Sequence, residues 1–189
     1  MYAMTDICSM IGEIGLDGID RDTSAGFVEA ATADSVKEFY STVTTPVCIV
    51  TAYDQQRVPF GTTVGSFCSV SLTPPLALIS LLPDSELLSI LDTGTSVRVH
   101  FPAATDVALA QRFAGKGGAG KFEGVEWVPE PVAPTFPDMG WVSARVSGIE
   151  PMGDHLVVRL HIDSVHRRED SAPLLYRARS FGTFWKEIA

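Results

Sequence analysis

A chain of 189 residues that is 46% apolar is long enough to bury one core, and its composition is neither that of a disordered chain nor of a coiled coil. A net charge of −9 argues against nucleic acid as a partner, because a phosphate backbone needs a basic stripe and the Lys and Arg residues are scattered. No apolar run reaches the ~20 residues that span a bilayer, and Asp6, Glu13 and Asp17 stand where an export signal would be basic. A cytoplasmic protein with no membrane partner is the expectation. Cys8, Cys48 and Cys68 are odd in number and widely spaced, so they read as buried reduced thiols, not as a disulfide framework or metal ligands.

Residues 1–33 are poorly patterned. Ile7, Met10, Ile11 and Ile14 offer a short apolar face, but Gly12, Gly15 and Gly18 weaken a helix there, so the segment reads as an extension preceding a domain over 34–189. Ser35 and Glu38 have the spacing of a capping box. Val36, Phe39, Tyr40 and Val43 follow at helical spacing, and the helix should end before Pro46. The runs 47–53, 58–71 and 76–82 read as strands, separated by Asp54-Gln55-Gln56 and by Thr73-Pro74-Pro75.

The spacing then predicts a short helix over Ser85–Leu91, a strand over Val97–Phe101, and a helix capped by Thr105 or Asp106 that carries Val107, Leu109, Ala110 and Phe113. Residues 115–140 read as a long loop. Strands over Trp141–Ile149 and Leu156–Val165 follow, joined by Pro151-Met152-Gly153-Asp154-His155. An aromatic tail with Phe181, Phe184 and Trp185 ends the chain. Many strands with few helices predict a mainly β antiparallel barrel with helical insertions.

Two motifs mislead. Gly115-Lys116-Gly117-Gly118-Ala119-Gly120-Lys121 fits both G-x-G-x-x-G and G-x-x-x-x-G-K. Both need a preceding strand and a following helix, whereas here a helix precedes the loop and Phe122 takes the place of the magnesium-binding hydroxyl. A flexible basic loop able to touch a phosphate is the better reading. His100, His155, His161 and His166 lack ligand pairing at helical spacing, so no metal is expected.

The order of the motifs resembles the flavin reductase domain family. The residues that carry the resemblance are Ile49-Val50-Thr51-Ala52, Gly61 through Leu76 (G-x-T-x-x-S-F-x-S-V-S-L-x-P-P-L in the family), and Leu78-Ile79-Ser80-Leu81. Further along are Leu109 through Lys116 (L-A-x-x-F-A-G-K), Lys121 through Trp127 (K-F-x-G-V-x-W), Gly153-Asp154-His155 and Pro173 through Tyr176. The resemblance implies a homodimeric, six-stranded split β-barrel of Greek-key type. It implies hydride transfer from NADH or NADPH to FAD or FMN, with reduced flavin released to a separate monooxygenase. By position, Thr62, Thr63, Val64, Gly65 and Ser66 would line the flavin. Ser69 and Ser85 would meet its ribityl phosphate, Lys121 and Phe122 would close over it, and Ser80 and Leu81 would border the ring. Phe113 belongs to the same motif set. His155 would face the nicotinamide, with Tyr176 near.

Two positions depart from the family pattern. Gly65 replaces a common Asn, so the flavin there either goes without that side chain or meets backbone instead. Val99-His100-Phe101-Pro102 replaces V-N-V-L, so His100 either supplies a polar contact or points away. A flavin-binding module without turnover, or a scaffold reused for non-redox chemistry, is the alternative.

Overall fold

The computed structural model describes residues 31–168 and 171–184. The apolar pattern expected near Ile7–Ile14, Cys8 and Trp185 lie outside them. The elements in chain order are α1 (Ala33–Thr42), β1 (Thr45–Pro46), β2 (Cys48–Tyr53), β3 (Pro59–Val64), β4 (Cys68–Leu72), β5 (Pro75–Leu81) and β6 (Ser96–Phe101). They continue with α2 (Val107–Ala114), β7 (Gly140–Met152), β8 (His155–His166), β9 (Leu174–Arg177) and β10 (Ser180–Thr183). Short 3-10 turns cover Leu88–Ile90, Ala104–Asp106 and Gly118–Phe122. No helix among the described residues is long and apolar enough to cross a membrane.

The mainly β class is as expected, but the six-stranded barrel is not. The main sheet has seven antiparallel strands in the order β3-β2-β6-β7-β8-β5-β4, and a separate sheet is ordered β1-β9-β10. The run expected as one strand over 58–71 breaks at Gly65-Ser66-Phe67. Beyond the break the chain crosses to the far edge, so β3 pairs with β2 and β4 with β5. The hydrogen-bond ladder therefore stays open, with β3 and β4 as its edges. The 3-10 turn at Leu88–Ile90 replaces the helix expected over Ser85–Leu91.

Alternation along the strands sends side chains to opposite faces, and the interior holds three apolar clusters, the smallest of them Val47, Ala110 and Leu174. Cys48, Val50, Ala52, Val97, Val99, Ala144, Val146, Val158 and Leu160 form the larger core. On the opposite side of β2, Ile49 packs with Phe113, Phe122, Phe136 and Met139. Cys48 is buried as expected, which pushes its thiol pKa up to about 12, whereas Cys68 is exposed on β4.

The first helix begins earlier than its sequence suggests. Thr32 is the N-cap and shares a reciprocal capping box with Ser35, in place of the Ser35–Glu38 pair. The face expected to pack is open: Phe39 is 65% and Tyr40 66% exposed.

The segment 123–139 is fastened down along its length. With four prolines and one isolated bridge of its own, Val128–Thr135, it pairs little of its backbone internally, so its polar groups need partners from elsewhere. The back of the sheet supplies them. Thr51 Oγ1 donates to the Pro134 carbonyl at 2.6 Å. Arg57 donates to the carbonyls of Pro131 and Glu130. Buried Arg98 pairs with Glu130 at 2.6 Å, bonds Thr135 and Ser143, and lies 3.9 Å from the Trp141 ring centroid. His100 is fully buried and accepts the Phe136 N–H at Nε2, 3.2 Å away. Its proton therefore sits on Nδ1, which lies 3.1 Å from the Ile49 carbonyl.

Burial, more than the nearby Arg98 charge, pushes the His100 pKa down from 6.5 to about 3. Above pH 6.5 the imidazole is neutral whether the chain is folded or not. Below it, only the unfolded chain takes up the proton. Stability should therefore fall as pH drops from 6.5 toward 3, by up to about 1.4 kcal/mol per pH unit from this group. Denaturant unfolding of the wild type and of His100→Gln across that range isolates the effect. The Gln variant, although less stable at neutral pH, should lack this part of the slope; equal slopes would exclude His100 as its source.

Candidate functional site

Where β3 ends, five elements surround a cavity of about 330 Å³. Thr63, Val64 and Gly65 form one wall, and Thr45 and Val47 another. Gln111 and Ala114 of α2 and the ring pair Tyr176 and Phe181 complete it. The register builds this arrangement. Thr45 lies opposite Tyr176, and Tyr176 opposite Phe181. The two rings meet edge to face with centroids 5.2 Å apart. Gly65 leaves room for this packing, because a Cβ there would lie 3.1 Å from Thr45 Oγ1. Thr63 Oγ1 donates to the Ala110 carbonyl at 2.7 Å and ties the wall to α2.

Gly65 is followed by Ser66, which ties this corner to β5. The Ser66 hydroxyl accepts the Ser80 N–H at 2.9 Å and donates to the Ser80 carbonyl at 3.1 Å. Ser80 and Leu81 pair with Val157 and Leu156. His155 stands one residue beyond Leu156, opposite Met152 across the hairpin. Its Nδ1 lies 2.7 Å from Asp154 Oδ1, which lowers the Asp154 pKa and leaves Nε2 as the unengaged ring nitrogen. Of these residues Thr63, Val64, Gly65 and Tyr176 line the cavity, Ser66 and Ser80 are bonded to each other beside it, and Leu81 is buried in the larger core. The Ser66 hydroxyl, however, is engaged in bracing the corner.

The other expected site residues lie elsewhere. Thr62 pairs with Val50 inside the β2–β3 ladder. Ser69 is exposed on β4 opposite Ala77. Ser85 Oγ accepts the Leu88 N–H at 3.5 Å, at the start of the 3-10 turn. His100 points away from the cavity and holds the 123–139 segment. Phe113 is buried against Gly61, where a Cβ would meet its ring at 2.8 Å, and Phe122 packs on Phe113 edge to face.

Lys121 is also buried. It donates to the Gly61 carbonyl at 3.0 Å and faces Glu86 at 3.5 Å. The same Glu86 carboxylate accepts the N–H groups of Gly117 and Gly118, which lowers its pKa, the Gly118 bond foremost. Lys116 pairs with Asp84 at 2.8 Å. The glycine-rich loop therefore does not stand open to a phosphate: an internal carboxylate takes its donors. Sequence reasoning missed Thr45, Val47, Gln111, Ala114 and Phe181. Gln111 and Ala114 lie three residues apart on α2, a spacing that places both on one side of a helix.

Replacing Lys121 by Met should destabilise the fold by about 1–3 kcal/mol, because the Gly61 carbonyl and Glu86 lose a charged donor in a buried setting. Lys116→Met, at an exposed pair, should leave the unfolding midpoint unmoved. Equal effects in thermal unfolding would show that burial does not separate the two lysines.

The flavin reductase like domain model matches residues 40–184. The chain is 34% identical over 154 residues to the actinorhodin polyketide dimerase of Streptomyces coelicolor, covering 80% of this chain and 86% of that protein. It is 33% identical over 135 residues to an NADH:FMN oxidoreductase of Rhodococcus qingshengii, covering 67% and 69%. Among solved structures, the NADH:FAD oxidoreductase of Streptomyces globisporus, in complex with NAD and FAD fragments, superposes with a TM-score of 0.78 at 24% identity. That superposition covers 87% of this chain and 100% of the other. The protein belongs to the flavin reductase like domain family.

Proposed function

We propose that this protein is an NAD(P)H-dependent flavin reductase that passes reduced FAD or FMN to a separate monooxygenase. The observation that carries the reading is the cavity at the end of β3, in a chain whose family match spans it. Apolar walls with a few neutral polar groups suit the flat ring of a flavin. Thr63, Val64, Gly65 and Tyr176 would hold that ring, with Ser80 and Leu81 bordering it. The fit extends to the ring and not to a phosphate on Lys121, which is committed to Gly61 and Glu86. Flavin and nicotinamide, when bound, supply the hydride chemistry; the protein supplies orientation.

His155 would meet the nicotinamide through Nε2, since Asp154 engages Nδ1 and fixes the ring's orientation. Gly65 admits the ring close to the backbone, and the Ser66–Ser80 bonds keep that corner from shifting. We further propose a cytoplasmic homodimer. The exposed Val70 and Leu72 of edge strand β4, the latter 76% exposed, support a partner surface there. A second reading, a scaffold reused in a biosynthetic pathway, is favoured by the similarity to the polyketide dimerase of Streptomyces coelicolor.

Oxidation of NADH or NADPH by the purified protein, followed by absorbance with FAD and with FMN present, tests the main reading. Flavin-dependent turnover is expected; bound flavin without turnover would favour the second. His155→Ala should raise KM for the nicotinamide nucleotide while flavin affinity holds. Unchanged kinetics would remove His155 from the site.

A further inference from the structure

The cavity at the end of β3 is lined by three polar side chains, half-buried Thr45 and exposed Gln111 and Tyr176, that make no hydrogen bond to the rest of the described chain. Among the described residues, the Thr45 hydroxyl, the Gln111 side-chain amide and the Tyr176 hydroxyl take no hydrogen bond, yet all three residues line one space of about 330 Å³. The contrast with their neighbours is informative. Thr63, on the same wall, spends its proton on Ala110, and Ser66 spends both roles on Ser80. No charged side chain of the described residues lines the cavity, so it offers a charged group no ion-pair partner. Small residues, Gly65 and Ala114, leave a gap beside the paired rings of Tyr176 and Phe181. Such a space suits a flat, uncharged ring with one polar edge.

Gln111 narrows the chemistry of that edge. A hydroxyl donates or accepts by rotating, and so reads either kind of partner. A primary amide instead presents a donor and an acceptor side by side in fixed geometry. Its complement is another amide or imide. We propose that Gln111, assisted by Thr45 and Tyr176, recognises the amide or imide edge of a planar heteroaromatic ring in this cavity. Gln111 is then a specificity-determining residue that lies at a variable position of the L-A-x-x-F motif. This inference rests on the flavin reductase reading for the class of ring, because both a flavin and a nicotinamide carry such an edge.

Ring-only probes separate recognition from phosphate binding and from turnover. Lumiflavin, 3-methyllumiflavin (which lacks the imide N–H) and 1-methylnicotinamide are titrated into wild type, Gln111→Leu and Gln111→Glu by fluorescence or calorimetry. The wild type should prefer lumiflavin over its 3-methyl form by about tenfold, and Gln111→Leu should lose both that preference and about tenfold in lumiflavin affinity. Gln111→Glu, which keeps an acceptor and loses the donor, should weaken lumiflavin as well. An equivalent loss confined to 1-methylnicotinamide would also support the proposal and would assign the cavity to the hydride donor. Wild-type affinities in both variants, or no ring binding by the wild type, would overturn it. Failure of the reductase reading shows separately, as no flavin-dependent NADH or NADPH oxidation by the wild type. Because Gln111 is exposed on α2, loss of folding is not the expected cause of weakened binding, and unfolding midpoints of the variants check this.

Discussion

The back of the sheet depends on one buried, neutral imidazole. His100 receives the Phe136 N–H and faces the Ile49 carbonyl, which joins β6, β2 and the segment 123–139 at one point. That segment has little regular structure, with one isolated bridge between Val128 and Thr135. Its backbone would be costly to bury without partners. Thr51, Arg57, Arg98 and His100 meet that cost from the strand side. The aromatic core of Phe113, Phe122 and Phe136 can then close beneath it. A charged His100 would be incompatible with this packing, which is why its suppressed basicity is a structural property and not a catalytic one.

The same division of labour holds at the glycine-rich loop. Lys121 and the Gly117–Gly118 donors form an anion-attracting group, and Glu86 occupies it from within the chain. The result fixes the 3-10 turn after α2 against the link between β5 and β6. Polar chemistry that reads as ligand-binding in one dimension is spent on fastening loops. At the end of β3, by contrast, the Thr45 and Tyr176 hydroxyls and the Gln111 amide have no hydrogen-bond partner among the described residues.

Local pattern carries much of the fold. The alternation of Val97, Val99 and Phe101 against Arg98 and His100 marks β6, although both of its faces are buried, and that of Leu156 to Val165 marks β8, where Val158 and Leu160 face the core. The break at Gly65-Ser66-Phe67 was not legible, since a strand run with hydroxyls and a glycine continues or turns according to its partners. Nor was the open ladder, which depends on β4 crossing to the far edge. At the candidate site, Thr63, Val64, Gly65 and Tyr176, which the ordered motifs single out, line the cavity, whereas Thr62 and His155 are not among its lining residues. His100, Lys121 and Phe113 could not be placed from sequence, because their roles are set by partners tens of residues away: Phe136, Gly61 and Glu86 among them. Gln111 and Thr45 carry no signal of their own; only the docking of α2 and β1 around the cavity makes them neighbours.

Gly65 connects these levels. In the sequence it stands as a missing side chain where the family pattern has an Asn. In the fold the vacated volume is taken up by Thr45, whose Oγ1 sits 3.1 Å from where a Cβ would be. Thr45 reaches that place through its pairing with Tyr176, which carries one of the two cavity rings. The Thr45 hydroxyl thus stands beside the bare backbone of Gly65. A side chain restored at Gly65 would press on Thr45 and, through the β1–β9 pairing, on Tyr176. The shape of the cavity therefore depends on the glycine and the threonine together.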